Sequence, residues 1–435
     1  MASKSQKIGL ITATSLVVGN MIGSGIFVLP ATLARYGSIS ILGWLFTAAG
    51  ALILAKIFSN LSKILANRSG GPYVFAKEGF GDFLGFLVAW GYWISCWVVN
   101  AGIAVAIISA LTIFFPVLET NSLLAVFLGL AFIWLFTWLN VKGVKASGKF
   151  QVVTTVLKLL PLVFVIILGA FFFSLDNFPA FNISQQNDLQ AFSAVATLTL
   201  FAFLGIECAT IPAENVKDPE KTVPKATMIG TTIATLVYIF GTVVLFGILP
   251  IDQLMTSPAP FAEAGKIIGG EFAGYFVAAG AAISAIGALN GWILIAGQLP
   301  MATARDNMFP RVFKKQNDKE APYLGLIIGS VLSSIIMLMN FSEGLVDQFE
   351  FIALLTTLTA LIPYFFVSAA YVIITINKKV FVHDKLKIVL LSTLGVAYSF
   401  WAIYGSGSDT VFYGFLLLLG GVPFYMLMKY NQSKD

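Results

Sequence analysis

The sequence predicts an all-α integral membrane protein of twelve transmembrane helices. Three observations carry this. Of 435 residues, 58% are hydrophobic and 11% charged, less than half the roughly 25% charge of a soluble domain. Twelve apolar stretches are long enough to cross a bilayer, which takes about 20 residues. The basic residues also sort to one side of those stretches, as the positive-inside rule requires. With 39 phenylalanines, no ordinary water-facing surface could be covered. A soluble enzyme, a nucleic-acid binder and a disordered scaffold are excluded.

The first span, 8–35, follows the polar MASKSQK. It is longer than the roughly 7–15-residue apolar core of a signal peptide and lacks a convincing cleavage site. Spans 39–62 and 83–115 flank a polar loop, and 123–141 and 149–173 complete a first group of five. A linker around 176–190 leads to 191–213 and 223–249; the loop 250–270 precedes 271–301, and the loop 302–321 precedes 322–341 and 349–376. The last two spans are 387–404 and 410–428. The polar stretches are loops with at most a short amphipathic helix, so 1–435 reads as one membrane domain.

Twelve is even, which places both termini on one side. With the N-terminus cytoplasmic, 23 of the 26 Lys and Arg residues fall on the cytoplasmic side. Arg35 and Lys266 fall outside, and Lys158 lies within the fifth span. The expected location is the cell membrane, multi-pass, with both termini in the cytoplasm. Cys96 and Cys208 sit in apolar stretches and give neither a disulfide framework nor metal-ligand spacing. His383, the one histidine, belongs to a polar loop, which leaves no histidine for acid–base chemistry inside the membrane. No cofactor and no metal are expected.

Two spans are interrupted. The first reads VVGNMIGSGIFVLPA, with Gly23-Ser24-Gly25 near its middle and Pro30 beyond; the sixth reads LTLFAFLGIECATIPAENV, with Gly205 and Glu207 central and Pro212 after. Each interior glycine costs roughly 1 kcal/mol relative to alanine, so the triplet is a plausible point of unwinding. Small residues alone also suit close helix packing. The first and sixth spans hold corresponding places, however, if 1–173 and 191–376 are two five-helix halves with 387–428 outside them. Matched interruptions point to an inverted-repeat transporter with its site at the midplane. A half-helix N-terminus at Gly-Ser-Gly suits a carboxylate, and the carbonyls of the broken sixth span suit an ammonium. An amino acid carries both.

At these residues the chain resembles the amino acid–polyamine–organocation transporter superfamily, and within it the basic amino acid/polyamine antiporters. The likeness runs through GNMIGSGIFVLPA at 19–31, GGPYVFAKEGFG at 70–81, YWISCWVVNAGIAV at 92–105 and FAFLGIECA at 201–209. It continues in VKDPEKTVPKA at 216–226, GWILIAGQ at 291–298 and IPYFF at 362–366. The resemblance implies the LeuT-like five-plus-five inverted repeat with discontinuous first and sixth helices, working by alternating access. It also implies that Asn20 and Ser24, Gly25 and Ile26 line the carboxylate end of the site. Asn100, Phe201, Leu204, Trp292 and Thr356 would complete the substrate pocket, with Trp292 stacking as a middle gate. Tyr92, Glu207 and Tyr364 would form a polar gate toward one side of the membrane. From the residues alone, Trp292 is equally a core side chain and Asn100 interhelical glue.

Glu207 is the only acid more than one helical turn, and Lys158 the only base more than two turns, from the end of a predicted span. A charge at the bilayer centre costs at least about 2.5–3.5 kcal/mol, which makes each a functional-site hypothesis. A direct Glu207–Lys158 ion pair is the structural alternative. Lys158 departs from the antiporters, which carry an apolar residue in the stretch matching VLKLLPL. A lysine there resembles the proton-coupled permeases of the superfamily, where it takes the place of a sodium ion and links the first and eighth helices. Burial disfavours a charged lysine, so Lys158 is a candidate for proton coupling together with Glu207. Phe201 also departs, since the antiporters carry tryptophan there.

The function expected is secondary transport, most directly antiport of a basic amino acid against its amine or a related amino acid. The alternative is proton-coupled symport of broader specificity. A channel would need rings of polar residues along a pore, a membrane-embedded enzyme clustered catalytic groups, and a primary pump a nucleotide-binding motif. The expected partners are a small amino acid or amine, a proton and the lipid bilayer. A second copy of the chain is left open.

Overall fold

The computed structural model describes residues 8–23, 25–66, 68, 70–142, 147–211, 213, 216–319, 321–339, 345–380, 384–405 and 407–432. Ser24, Pro212 and His383 lie outside the described residues. The elements in chain order are α1 (Leu10–Met21), α2 (Gly25–Ala34), α3 (Ile39–Ile64), α4 (Pro72–Phe80), α5 (Asp82–Leu111) and α6 (Val117–Thr120). Next come α7 (Ser122–Val141), α8 (Ser147–Gly169), α9 (Asp188–Ala202), α10 (Pro219–Ile248), α11 (Ile251–Thr256) and α12 (Pro260–Arg305). The last are α13 (Tyr323–Met339), α14 (Leu345–Asn377), α15 (Lys385–Gly405), α16 (Ser408–Leu419) and α17 (Gly421–Gln432). Among the described residues there is no strand, only a single bridge between Ile8 and Val216.

Ten stretches among the described residues are helical, long and apolar enough to cross a membrane, counting Leu10–Ala34 as one. Twelve spans were expected. The two that fall short coincide with α9, which stops at the break after Ala202, and α13. At about 1.5 Å per residue neither reaches the roughly 30 Å of a hydrocarbon core. Other boundaries also moved. The third expected span ends at Leu111, the loop 62–82 contains α4, and the last span is divided at Gly420. α12 extends the eighth span back to Pro260 across a kink at Gly269 and Gly270.

Local signals set several of these ends. Pro72, Pro219 and Pro260 open α4, α10 and α12, where proline's missing N–H costs nothing. Asn121 and Asn187 cap α7 and α9 by accepting from the N–H groups of Leu124 and Gln190, each at 3.0 Å; such caps stabilise a helix start by about 1 kcal/mol.

The core of the bundle is α1, α2 and α5, which are buried almost throughout. Around them pack α12 and α14 against α5, α10 against α3, and α8 against α12. α16 and α17 lie outermost, with Phe412, Phe415, Phe424 and Met426 exposed, as a lipid-facing surface would be. Helices approach closely where side chains are small. A Cβ on Gly280 of α12 would lie 2.2 Å from Pro161 of α8.

The ends of the bundle differ in charge. At one end Glu78 pairs with both Arg68 and Lys378 at 2.8 Å, Asp82 with Lys429 at 3.1 Å, and Lys77 lies 3.6 Å from Asp82. The hydrogen bond from Lys378, with the charge of Arg68 added, holds the Glu78 carboxyl below its ordinary range. At the other end Arg35 pairs with Asp347 at 2.8 Å and Lys266 with Glu271 at 3.2 Å. The two basic residues assigned to the outer side are therefore each matched by an acid.

Candidate functional site

The break between α1 and α2 leaves carbonyls without their helical donors. The Lys158 ammonium, carried by α8, donates to the carbonyls of Gly19 and Ile22 at 2.8 Å each, and more loosely to that of Ser284 at 3.5 Å. The Ser284 hydroxyl, on α12, donates to the carbonyls of Ile22 at 3.0 Å and Gly23 at 2.8 Å. Lys158 and Ser284 are fully buried. A single ammonium thus ties α8, the end of α1 and α12 together. Ser284 was invisible in the sequence, being one small residue in a run of alanines and glycines.

The second break follows α9. Past Ala202 the backbone turns, and Gly205 takes a φ of +109°, a conformation closed to side-chain-bearing residues except at a cost. Two residues on stands Glu207, fully buried. Its carboxyl oxygens each accept one phenolic hydroxyl: Tyr92 of α5 donates to Oε1, and Tyr364 of α14 donates to Oε2 at 2.6 Å. Its backbone carbonyl accepts from the Thr210 N–H at 2.7 Å and hydroxyl at 2.6 Å. Three residues far apart in sequence thus meet at one carboxyl group. No ion pair joins Glu207 to Lys158, whose bonds go to carbonyls.

A Cβ on Gly205 would lie 3.2 Å from the Cβ of Asn20 and 3.3 Å from the Met21 nitrogen, where α1 ends. Strain at such a backbone conformation is worth about 1–3 kcal/mol. Gly205→Ala is expected to lower the thermal stability of the purified protein and to reduce transport at the same expression level. A variant as stable and as active as the parent would show that the two breaks do not depend on this contact.

Between the breaks lies a cavity walled by Asn20, Gly23 and Gly25 from the first, Phe201 and Leu204 from the second, and Trp292 of α12. The space has room for about one water molecule, so these walls must part to admit anything larger. Of the expected pocket residues, Asn20, Gly25, Phe201, Leu204 and Trp292 meet here. Ile26, Asn100 and Thr356 are buried nearby in sequence to these walls or on α5 and α14, but do not line the cavity. Ser24 lies outside the described residues.

Several buried polar atoms of this region lack a hydrogen-bond partner among the described residues: Oδ1 of Asn20, both side-chain polar atoms of Asn100, and the hydroxyl of Thr356. Such groups each cost about 1–3 kcal/mol, and native structures hold few of them. Cys96 and Cys208 are buried and free.

A bundle of apolar helices of membrane-spanning length, with the chain broken after α1 and after α9 around a small buried cavity, is the architecture of a membrane permease. The chain belongs to the amino acid permease family, which matches residues 8–419, within the amino acid–polyamine–organocation superfamily. It is a multi-pass membrane protein. Among similar proteins are an arginine/ornithine antiporter of Pseudomonas aeruginosa, 30% identical over 99% of this chain and 92% of the relative. A cadaverine/lysine antiporter of Escherichia coli is 33% identical, covering 99% and 97%. A putrescine transporter of Haemophilus influenzae is also 33% identical, covering 99% of both chains.

Proposed function

We propose that this protein exchanges a basic amino acid for its amine or a related amino acid across the cell membrane by alternating access. The observation that carries the reading is the cavity, where a half-helix N-terminus and a half-helix C-terminus meet. Gly25 at the start of α2 offers N–H groups to a carboxylate, and α9, with Phe201 and Ala202 in its last turn, offers carbonyls that already accept from the Leu204 N–H and the Tyr238 hydroxyl and keep a second lone pair for an ammonium. Helix-end polarity favours both. Trp292 and Phe201 supply aromatic faces, over which a cationic side chain gains about 0.5–2 kcal/mol. The amide of Asn100 and the hydroxyl of Thr356, without a partner among the described residues, stand outside the closed cavity and become available to a ligand once its walls part. Glu207, held by Tyr92 and Tyr364, acts as the polar gate beneath. The names of the relatives, two of them antiporters, agree with exchange of cationic substrates.

The same reading places ten of twelve spans in two inverted five-helix halves and the last two outside them, with α9 and α13 completing the set as short spans. Both termini lie in the cytoplasm, supported by the 23 basic residues on that side. A second reading, proton-coupled symport, is favoured by one observation. Lys158 puts a titratable group in contact with α1 and α12 at once, so its protonation state is coupled to how those helices sit.

Counterflow in liposomes decides between the two. Arginine, lysine, ornithine, putrescine and neutral amino acids are tested with and without a pH gradient. Uptake that requires an internal basic amino acid or amine is expected. Accumulation driven by the gradient alone would replace exchange with symport, and transport of none of these would end both readings.

A further inference from the structure

α9 ends at Ala202, and the chain leaves the helix at Phe203, whose N–H reaches back to the Leu200 carbonyl at 2.9 Å while that of Leu204 reaches the Phe201 carbonyl at 3.2 Å; each carbonyl keeps a second lone pair for a further donor. These are the carbonyls that, on the reading above, face a substrate ammonium. One of them is held from behind. The hydroxyl of Tyr238, on α10, donates to the Ala202 carbonyl at 2.7 Å. Tyr238 is fully buried, so the bond is shielded from competing water.

Three rings surround this point. Tyr238 stands 5.3 Å from Phe203, edge to face at 87°, and 5.2 Å from Trp44 of α3, while Trp44 and Phe203 are 6.0 Å apart. Phe203 is fully buried within this box. Its neighbours Phe201, Ala202 and Leu204 line the cavity on the opposite side. The box therefore fixes the rotation of the chain at the point where the helix ends. Without it, the Ala202 carbonyl, for which Tyr238 is the donor, would be free to tilt toward any nearby donor.

We infer that Tyr238 is a positioning residue, which orients the C-terminal carbonyls of α9 toward the amino group of the transported amino acid without touching the substrate itself. The inference rests on the amino-acid exchange proposed above. Its consequence is selective. A ligand that presents an α-ammonium depends on the orientation of those carbonyls, whereas the same molecule without its α-amino group does not.

The test is a two-by-two comparison in proteoliposomes. Wild type and Tyr238→Phe, which keeps the ring and removes the bond, are measured for arginine exchange and for its inhibition by arginine and by 5-guanidinopentanoate, the analogue without the α-amino group. Lysine with 6-aminohexanoate serves if lysine is the better substrate. The half-saturation concentration for the amino acid is expected to rise about five- to tenfold in the variant, the usual span for losing one buried hydrogen bond. The maximal rate and inhibition by the desamino analogue should stay within about twofold of wild type. Equal weakening of both ligands, a fall in maximal rate alone, or no change would overturn the assignment. Thermal unfolding of the variant in detergent identifies a general loss of fold, and Trp44→Phe, which keeps an aromatic ring in the box and leaves the bond untouched, should leave the amino-acid preference intact. Absence of exchange by the wild type would instead count against the functional reading on which the inference rests.

Discussion

Replacing Glu207 with glutamine is expected to reduce uptake of a cationic amino acid by at least about tenfold, since hydrogen bonds to a charged group are worth about 1.5–3 kcal/mol and 1.4 kcal/mol is a factor of ten. The geometry explains why so small a change acts so strongly. Both carboxyl oxygens are occupied, each by one tyrosine hydroxyl. An amide keeps one acceptor oxygen and presents an NH2 where the second tyrosine now donates. Either Tyr92 or Tyr364 must then turn its hydroxyl to accept from that NH2, and the anchor shared by α5 and α14 loses a charge-assisted bond. The variant also removes the acid that a cationic substrate passing the gate would meet. Uptake of labelled arginine or lysine into proteoliposomes measures the effect. Equal transport by the variant would take Glu207 out of the mechanism.

Lys158→Ala is expected to flatten the pH dependence of transport and to lower its rate. The ammonium fills carbonyl acceptors of Gly19 and Ile22 that no helix donor can reach. Removing it leaves the buried Gly19 carbonyl without that donor, at a cost of about 1–3 kcal/mol, and a cavity where the side chain lay. Ser284 still donates to Ile22 and Gly23, so the break in the first span keeps part of its support. The flattening is the specific part of the expectation, because an ordinary packing defect would reduce transport at every pH in proportion. Initial rates measured across a pH series, wild type beside variant, distinguish the two. An unchanged pH profile would remove Lys158 from proton coupling.

Much of the architecture was legible because a bilayer imposes simple rules. The length of apolar runs located ten stretches of membrane-spanning length, and the interruptions at Gly23-Ser24-Gly25 and at Gly205 coincide with the ends of α1 and α9. The loss of helix at these points follows from glycine's weak helix propensity, and the positive φ of Gly205 is a conformation glycine alone enters freely. Boundaries governed by packing were not legible. α4 forms in a loop because Pro72 starts it and α5 and α14 cover it, and Gly269 and Gly270 kink α12 instead of ending it.

The site divides in the same way. Glu207 and Lys158 stood out since an ionisable residue in an apolar span has no neutral explanation. Tyr238, Ser284 and Trp44 carried no such mark. A tyrosine, a serine or a tryptophan in a membrane helix is ordinary, and only the neighbours brought to it by folding give it a role.

Charge scarcity, then, is what the sequence determined. With 11% charged residues, the chain had to be a membrane bundle, and Glu207 and Lys158 stood out as charges deep in its spans. The tertiary structure decided what those charges do. It set Glu207 against two tyrosine hydroxyls and Lys158 against the open carbonyls of α1, and so kept them apart instead of pairing them. The physical reason is that burial cost is a property of one residue and can be read at one position. A hydrogen bond depends on distances between residues remote in sequence, such as Tyr92, Glu207 and Tyr364, and these exist only once the helices have packed.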